Sequence, residues 1–144
     1  MDDHTIDLLA RAVHARIAEF PPGQDAARCF GIRLHDHDPG FVLVPFWSGV
    51  ARDLPMRLAP PDGCWGIALD SGGWAAPLDD DATLRPSRHP ARRRMHQTAI
   101  VYGADGTDIA VLEIEGEDPQ VLRGAVGVVP ELMRAVWSRR RRPA

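Results

Sequence analysis

The sequence predicts an α+β fold: an N-terminal helix, about six antiparallel strands in three hairpins, and a C-terminal helix or helices packed on one sheet face. Three observations carry this. Apolar residues recur every three or four positions over 4–20. The middle of the chain alternates apolar and polar residues between Gly- and Asp-containing turns. Helical spacing returns after Pro130. Helices at the two ends of an antiparallel meander define the class.

In the first element Ile6, Leu9, Ala10, Val13, Ile17 and Phe20 form one apolar stripe, while Arg11, His14, Arg16 and Glu19 fall mostly off it. Asp2, Asp3 and Asp7 complement the positive end of the helix dipole, and Pro21-Pro22-Gly23 stops the helix. The first hairpin runs from Arg28 to Trp47 through the turn His37-Asp38-Pro39-Gly40. Pro45 has no N–H for a ladder, so its strand is expected to be an edge or to bend.

The second hairpin is read as Cys64 to Asp70, a turn at Ser71-Gly72-Gly73, and Trp74 to Leu78. The third runs from His96 to Tyr102, turns at Gly103-Ala104-Asp105-Gly106, and returns from Thr107 to Glu115. In the returning arm Ile109, Val111, Glu113 and Glu115 share a face that passes from apolar to charged, as at a strand end leaving the core. Residues 49–63 and 79–94 read as irregular connections. Asp118-Pro119 suggests the start of a helix weakened by Gly124 and Gly127, followed by a second short helix from Pro130 with Leu132, Met133, Val136 and Trp137 on its apolar side. The simplest packing puts both terminal helices on one face of the sheet.

A chain of 144 residues fits one domain, taken as 1–138, with a disordered basic tail at 139–144. Every one of its 17 basic residues is arginine, and it has no lysine and no asparagine. That excludes Schiff-base and P-loop lysine chemistry, N-glycosylation and a Cys-His-Asn triad. The bias toward Ala, Gly, Pro and Arg points to a GC-rich bacterial genome. Cys29 and Cys64 sit in apolar settings and read as free thiols of a reducing compartment. No apolar run reaches the ~20 residues of a membrane helix, so the expected location is cytoplasmic. Residues 1–81 carry a charge of −7 and residues 82–144 carry +4, which together give the net −3.

No catalytic constellation is visible and no cofactor is expected. Ser48, Ser71, Ser87 and Ser138 lie in no nucleophile elbow, and neither cysteine has a histidine beside it. His35-Asp36-His37-Asp38 could supply two metal ligands, His35 and His37, on one strand face, with His89, His96 or the aspartates at 79–81 as a third; ordinary turn chemistry explains the run as well. Asp79-Asp80-Asp81 lacks the spacing of a calcium loop. Arg85, Arg88, Arg92, Arg93 and Arg94 form a basic run suited to carboxylate or phosphate, set against internal ion pairing with the acidic half. Trp47, Trp65 and Trp74 could line a groove, or could simply pack in the core.

The expected function is a non-enzymatic protein-interaction module, chaperone-like, adaptor or regulatory, with an acidic protein partner or a homodimer. The binding candidates are Trp47, Trp65, Trp74, Arg88, Arg92, Arg93 and Arg94. An alternative is a small enzyme or ligand-binding protein with a His/Arg site at one sheet end, with metal dependence resting on His35, His37, His89 and His96. Nucleic-acid binding through the arginine runs, Arg139 to Arg142 included, ranks behind both because net charge is negative and no aromatic-basic RNA motif occurs.

Overall fold

In the computed structural model, which describes residues 1–20, 27–35, 40–76, 88–124 and 127–141, two helices sandwich one six-stranded antiparallel sheet. The α+β class and the helix–strands–helix order are as the sequence predicts.

Helix α1 spans Asp3–Ile17. Asp2 caps it, accepting the Thr5 backbone N–H at 2.8 Å. Its stripe of Ile6, Ala10, Val13 and Ile17 is buried, with Leu9 and Phe20 packed against that core. His14 is buried too, at 3% exposure, although the sequence placed it off the stripe. Its position four residues after Ala10 and three before Ile17 puts it on the packing face.

The strands are β1 (Ala27–Leu34), β2 (Phe41–Gly49), β3 (Gly66–Ala75), β4 (Arg93–Tyr102), β5 (Thr107–Ile114) and β6 (Gln120–Arg123), in the order β2-β1-β3-β4-β5-β6. β2 is an edge, as Pro45 requires. Its register with β1 shifts at Pro45, which leaves Phe46 as an extra residue. The first and third hairpins match β1–β2 and β4–β5.

Two elements differ from expectation. Ser71-Gly72-Gly73 is not a turn: β3 runs straight through it, pairing Gly72 with His96 and Gly73 with Met95. Neither glycine has positive φ, so a turn reading based on composition fails. Asp118-Pro119 opens no helix. It leads into β6, whose Val121 and Leu122 pair with Val111 and Ala110. Helix α2 is one segment, Val128–Ser138, with Pro130 in its first turn, where its missing N–H costs no helical bond.

The helices also lie on opposite faces rather than one. α1 covers the face formed by Phe30, Ile32, Ala68, Ile100, Ile109 and Val111. Through Met133, Val136 and Trp137, α2 covers the face of Cys29, Ile67, Leu69 and Val101. Alternating residues of the central strands are therefore apolar in both directions, which a two-layer arrangement would leave half uncovered. Trp137 anchors α2 by donating its indole N–H to the Gly103 carbonyl at 2.8 Å. Among the described residues no helix is long and apolar enough to cross a membrane.

Candidate functional site

On the α1 face, the antiparallel register stacks three rows of side chains toward one end of the sheet. Arg28, Asp70, Thr98 and Val111 are neighbours across β1, β3, β4 and β5. The next row is Gly72, His96 and Glu113, and the next pairs Trp74 with Arg94. His14 descends onto these rows from the last turns of α1.

The polar groups form one connected network. His96 Nε2 donates to Asp70 Oδ1 in a short contact. Arg28 donates Nε and Nη2 to Asp70 Oδ2, at 3.2 and 2.9 Å. Burial pushes the Asp70 carboxyl up, but hydrogen bonds from His96 and Arg28 outweigh it and hold the group below the ordinary carboxylate range. The His14 ring stacks on His96 with centroids 4.3 Å apart. Its Nε2 donates to Glu113 Oε1 at 2.7 Å. Its Nδ1 shares a hydrogen bond with the Thr98 hydroxyl, at 2.8 Å.

Each histidine thus has its own carboxylate, and the two pairs meet through the stacked rings. Exposure is graded: the side chains of His14, His96 and Glu113 are 4, 29 and 43% exposed, so the network opens to solvent on the His96–Glu113 side. Beside it, Phe20, Arg28, Phe30, Pro45, Phe46, Trp47 and Ser48 line a cavity of ≈ 500 Å³.

One donor atom each from His14, His96 and Glu113 lie within 4.8 Å of one another. Two imidazoles and a carboxylate suit zinc or iron(II). Ligands at 2.0–2.1 Å in a tetrahedral site stand about 3.3 Å apart, so a bound metal would move Glu113 back from His14, now 2.7 Å away, and draw in any donor nearer the 4.8 Å limit. Half-exposed, Glu113 has room to move. Asp70 would then be the outer carboxylate that orients His96, and Thr98 the outer hydroxyl on His14.

Of the histidines singled out from sequence, His96 alone joins this centre among the described residues. His35 sits past the far end of β1, where its N–H donates to the Gly40 carbonyl. His89 is buried in the turn before β4 and accepts the Ala91 N–H at 3.0 Å. His37, Asp79 to Asp81, Arg85 and Arg142 lie outside the described residues.

The tryptophans share no groove. Trp47 packs against the α2-side core, Trp65 stacks on Tyr102 at 4.7 Å on the α1 side, and Trp74 is exposed beneath Arg92 and Arg94. Arg88 is exposed, and Arg93 pairs with Glu117 at 2.6 Å. Arg140 lies over Trp137 and donates to the Trp137 and Ala104 carbonyls, so the tail begins tied to the domain.

His14, Asp70, Thr98, Glu113 and Arg28 were missed as site residues. A buried-stripe histidine, a strand-interior Asp70 after Ala68, and the charged end of the Ile109–Glu113 face were the available signals. Only strand register and the docking of α1 on the sheet show that they meet. No family model, no curated protein and no solved structure matches this chain.

Proposed function

We propose that the protein is a ligand-binding protein or small enzyme built on a two-histidine, one-carboxylate metal centre of His14, His96 and Glu113. The observation that supports this most directly is the convergence of three donor atoms from one helix and two strands within 4.8 Å, on the side of a buried network that opens to solvent. Structural zinc centres are closed by four protein ligands, whereas three leave a position for water or substrate. A metal held by His14, His96 and Glu113 would supply Lewis acidity. Asp70 and Arg28 fix the His96 ring, and Thr98 fixes His14.

Among the described residues no buried side-chain nitrogen or oxygen lacks a partner, so the network is also complete as a set of proton-sharing pairs. Metal analysis separates the two states. Purified protein, and protein reconstituted with zinc or iron(II) and then desalted, should carry about one equivalent of metal. His96→Ala and Glu113→Gln should lose it while keeping the circular dichroism of the wild type. Wild-type protein that retains no metal after reconstitution would defeat this reading. Glu113→Gln matters because it is half-exposed and is expected to fold even if substitutions at the buried His14 do not.

A second reading, the protein-interaction module, is favoured by a different place. Leu8, Leu34 and Val42 are exposed near the outer strand β2, and Met1, Leu8, Leu9, Leu34 and Phe41 line a cavity of ≈ 340 Å³ there. Solvent-facing apolar groups beside an unpaired strand edge favour self-association. Light scattering after size exclusion decides it: a dimer that Leu34→Asp or Val42→Asp dissociates supports the module, and a concentration-independent monomer opposes it.

A further inference from the structure

We infer that Trp74, Arg92 and Arg94 form a binding platform for an oxyanion, a carboxylate or a phosphate, and that it holds the acidic end of the small ligand whose other end reaches the His14–His96–Glu113 centre. The second half rests on the metal-centre reading; the first stands on its own geometry.

Trp74 and Arg94 face each other across β3 and β4. The Arg92 and Arg94 guanidinium carbons lie 5.0 and 5.7 Å from the Trp74 ring centroid. Both side chains are exposed, and among the described residues neither guanidinium has a carboxylate partner. Arg92 donates only to the His89 carbonyl, at 3.3 Å. Glu115 takes the backbone N–H of Arg94 at 3.2 Å rather than its guanidinium. Between them Arg93, which points away from the platform, is neutralised by Glu117. Both guanidinium groups thus lie against one indole. Two like charges held over a single ring repel, and an oxyanion bridging their forks offsets that repulsion with charge-assisted hydrogen bonds.

The platform row adjoins the row of the centre, whose β3 position, Gly72, carries no side chain. Gly72 lies opposite His96, and a Cβ built there would meet nothing closer than the Met95 carbonyl oxygen at 3.8 Å. Successive rows on one sheet face are about 6.8 Å apart. A ligand of that length can rest its acid group on Arg92 and Arg94 and lie over Gly72, with its far end at His96 and Glu113. The ligand class is therefore a small organic oxyanion with a polar group a few bonds from the acid.

Titration calorimetry with inorganic phosphate and with benzoate tests the platform, using zinc-loaded wild type and Arg92→Gln/Arg94→Gln; zinc content is read in parallel on every sample. At least one anion should bind the wild type, and the double arginine variant should weaken it on the order of tenfold or more with zinc content unchanged. The anion that binds more tightly distinguishes phosphate from carboxylate ligands. Binding of neither anion at millimolar concentration, or equal binding by the double variant, overturns the inference. Loss of zinc uptake in the wild type overturns the metal centre instead, so the two failures are read from different signals.

Discussion

Cys29 and Cys64 illustrate how local burial sets chemistry that composition alone leaves open. Both are free. Burial pushes the Cys29 thiol up to about 12, against a weaker opposing hydrogen bond from the Phe30 backbone. Cys64 is raised by burial as well, partly offset by Arg33. A raised thiol pKa means less thiolate at a given pH, and the thiolate is the nucleophile. At pH 8 the thiolate fraction of Cys29 is on the order of one in ten thousand, against about a quarter for an unperturbed thiol. Iodoacetamide should therefore label Cys64 slowly and Cys29 only after denaturation, as mass spectrometry of native and urea-treated samples would show. Rapid labelling of Cys29 in the native protein would contradict its placement. The Cys64 sulfur also explains Gly31, where a Cβ would come within 2.6 Å of that atom.

Strand β3 carries the largest departure from local expectation. Gly-Gly between apolar runs is ordinary hairpin chemistry, and alternation on both sides fits two arms equally well. What overrides it is pairing along the whole length of β4, from Gly66 opposite Tyr102 to Ala75 opposite Arg93. Glycine inside a strand costs roughly 0.5–1 kcal/mol relative to alanine. Gly72→Ala meets open space, so it should raise the urea midpoint by about that much stability; a fall in the midpoint would restore the turn. In helix α1, Ile17 is fully buried, and Ile17→Ala should cost about 2–5 kcal/mol in the same measurement. That helix is docked by apolar packing and by the buried His14 bonds to Thr98 and Glu113, while its other polar ties, Asp7 with Arg123 on β6 and Arg11 with the Pro119 carbonyl, lie at the exposed surface.

The three-layer arrangement splits the interior into two cores separated by the sheet. One gathers Val13, Ile17, Phe30, Ile32 and Ile100 under α1; the other gathers Cys29, Ile67, Leu69, Val101 and Met133 under α2. Substitutions with no shared neighbours add to within roughly 0.5 kcal/mol. Ile17→Ala and Val136→Ala, on opposite sides, should therefore destabilise additively in equilibrium unfolding, and a coupling above about 1 kcal/mol would argue against two separate cores. The layering also determines where chemistry is feasible. Helix α1 stops at Ile17, and beyond the buried row of Asp70 and Thr98 the rows of His96 and Trp74 reach solvent. The α2 face has its own polar anchor in the pairing of Arg134 with Asp108, which ties that helix to β5.

The amphipathic stripe, the two tight hairpins and the terminal helices follow from spacing and turn chemistry within short windows, so α+β was legible from the chain. The charged end of the β5 face was legible too, as was arginine in place of lysine. The helices' opposite faces were not, because an apolar residue at every position of a strand shows burial without showing which partner covers which side. Nor was the site. His14 and Glu113 are 99 positions apart and Asp70 and His96 are 26 apart; strand register joins Asp70, His96 and Glu113, and the docking of α1 sets His14 over them. Periodicity places a side chain on a face of its own element; the meeting of faces from four elements is a property of the sheet order, which arises from long-range pairing and burial on both sides at once.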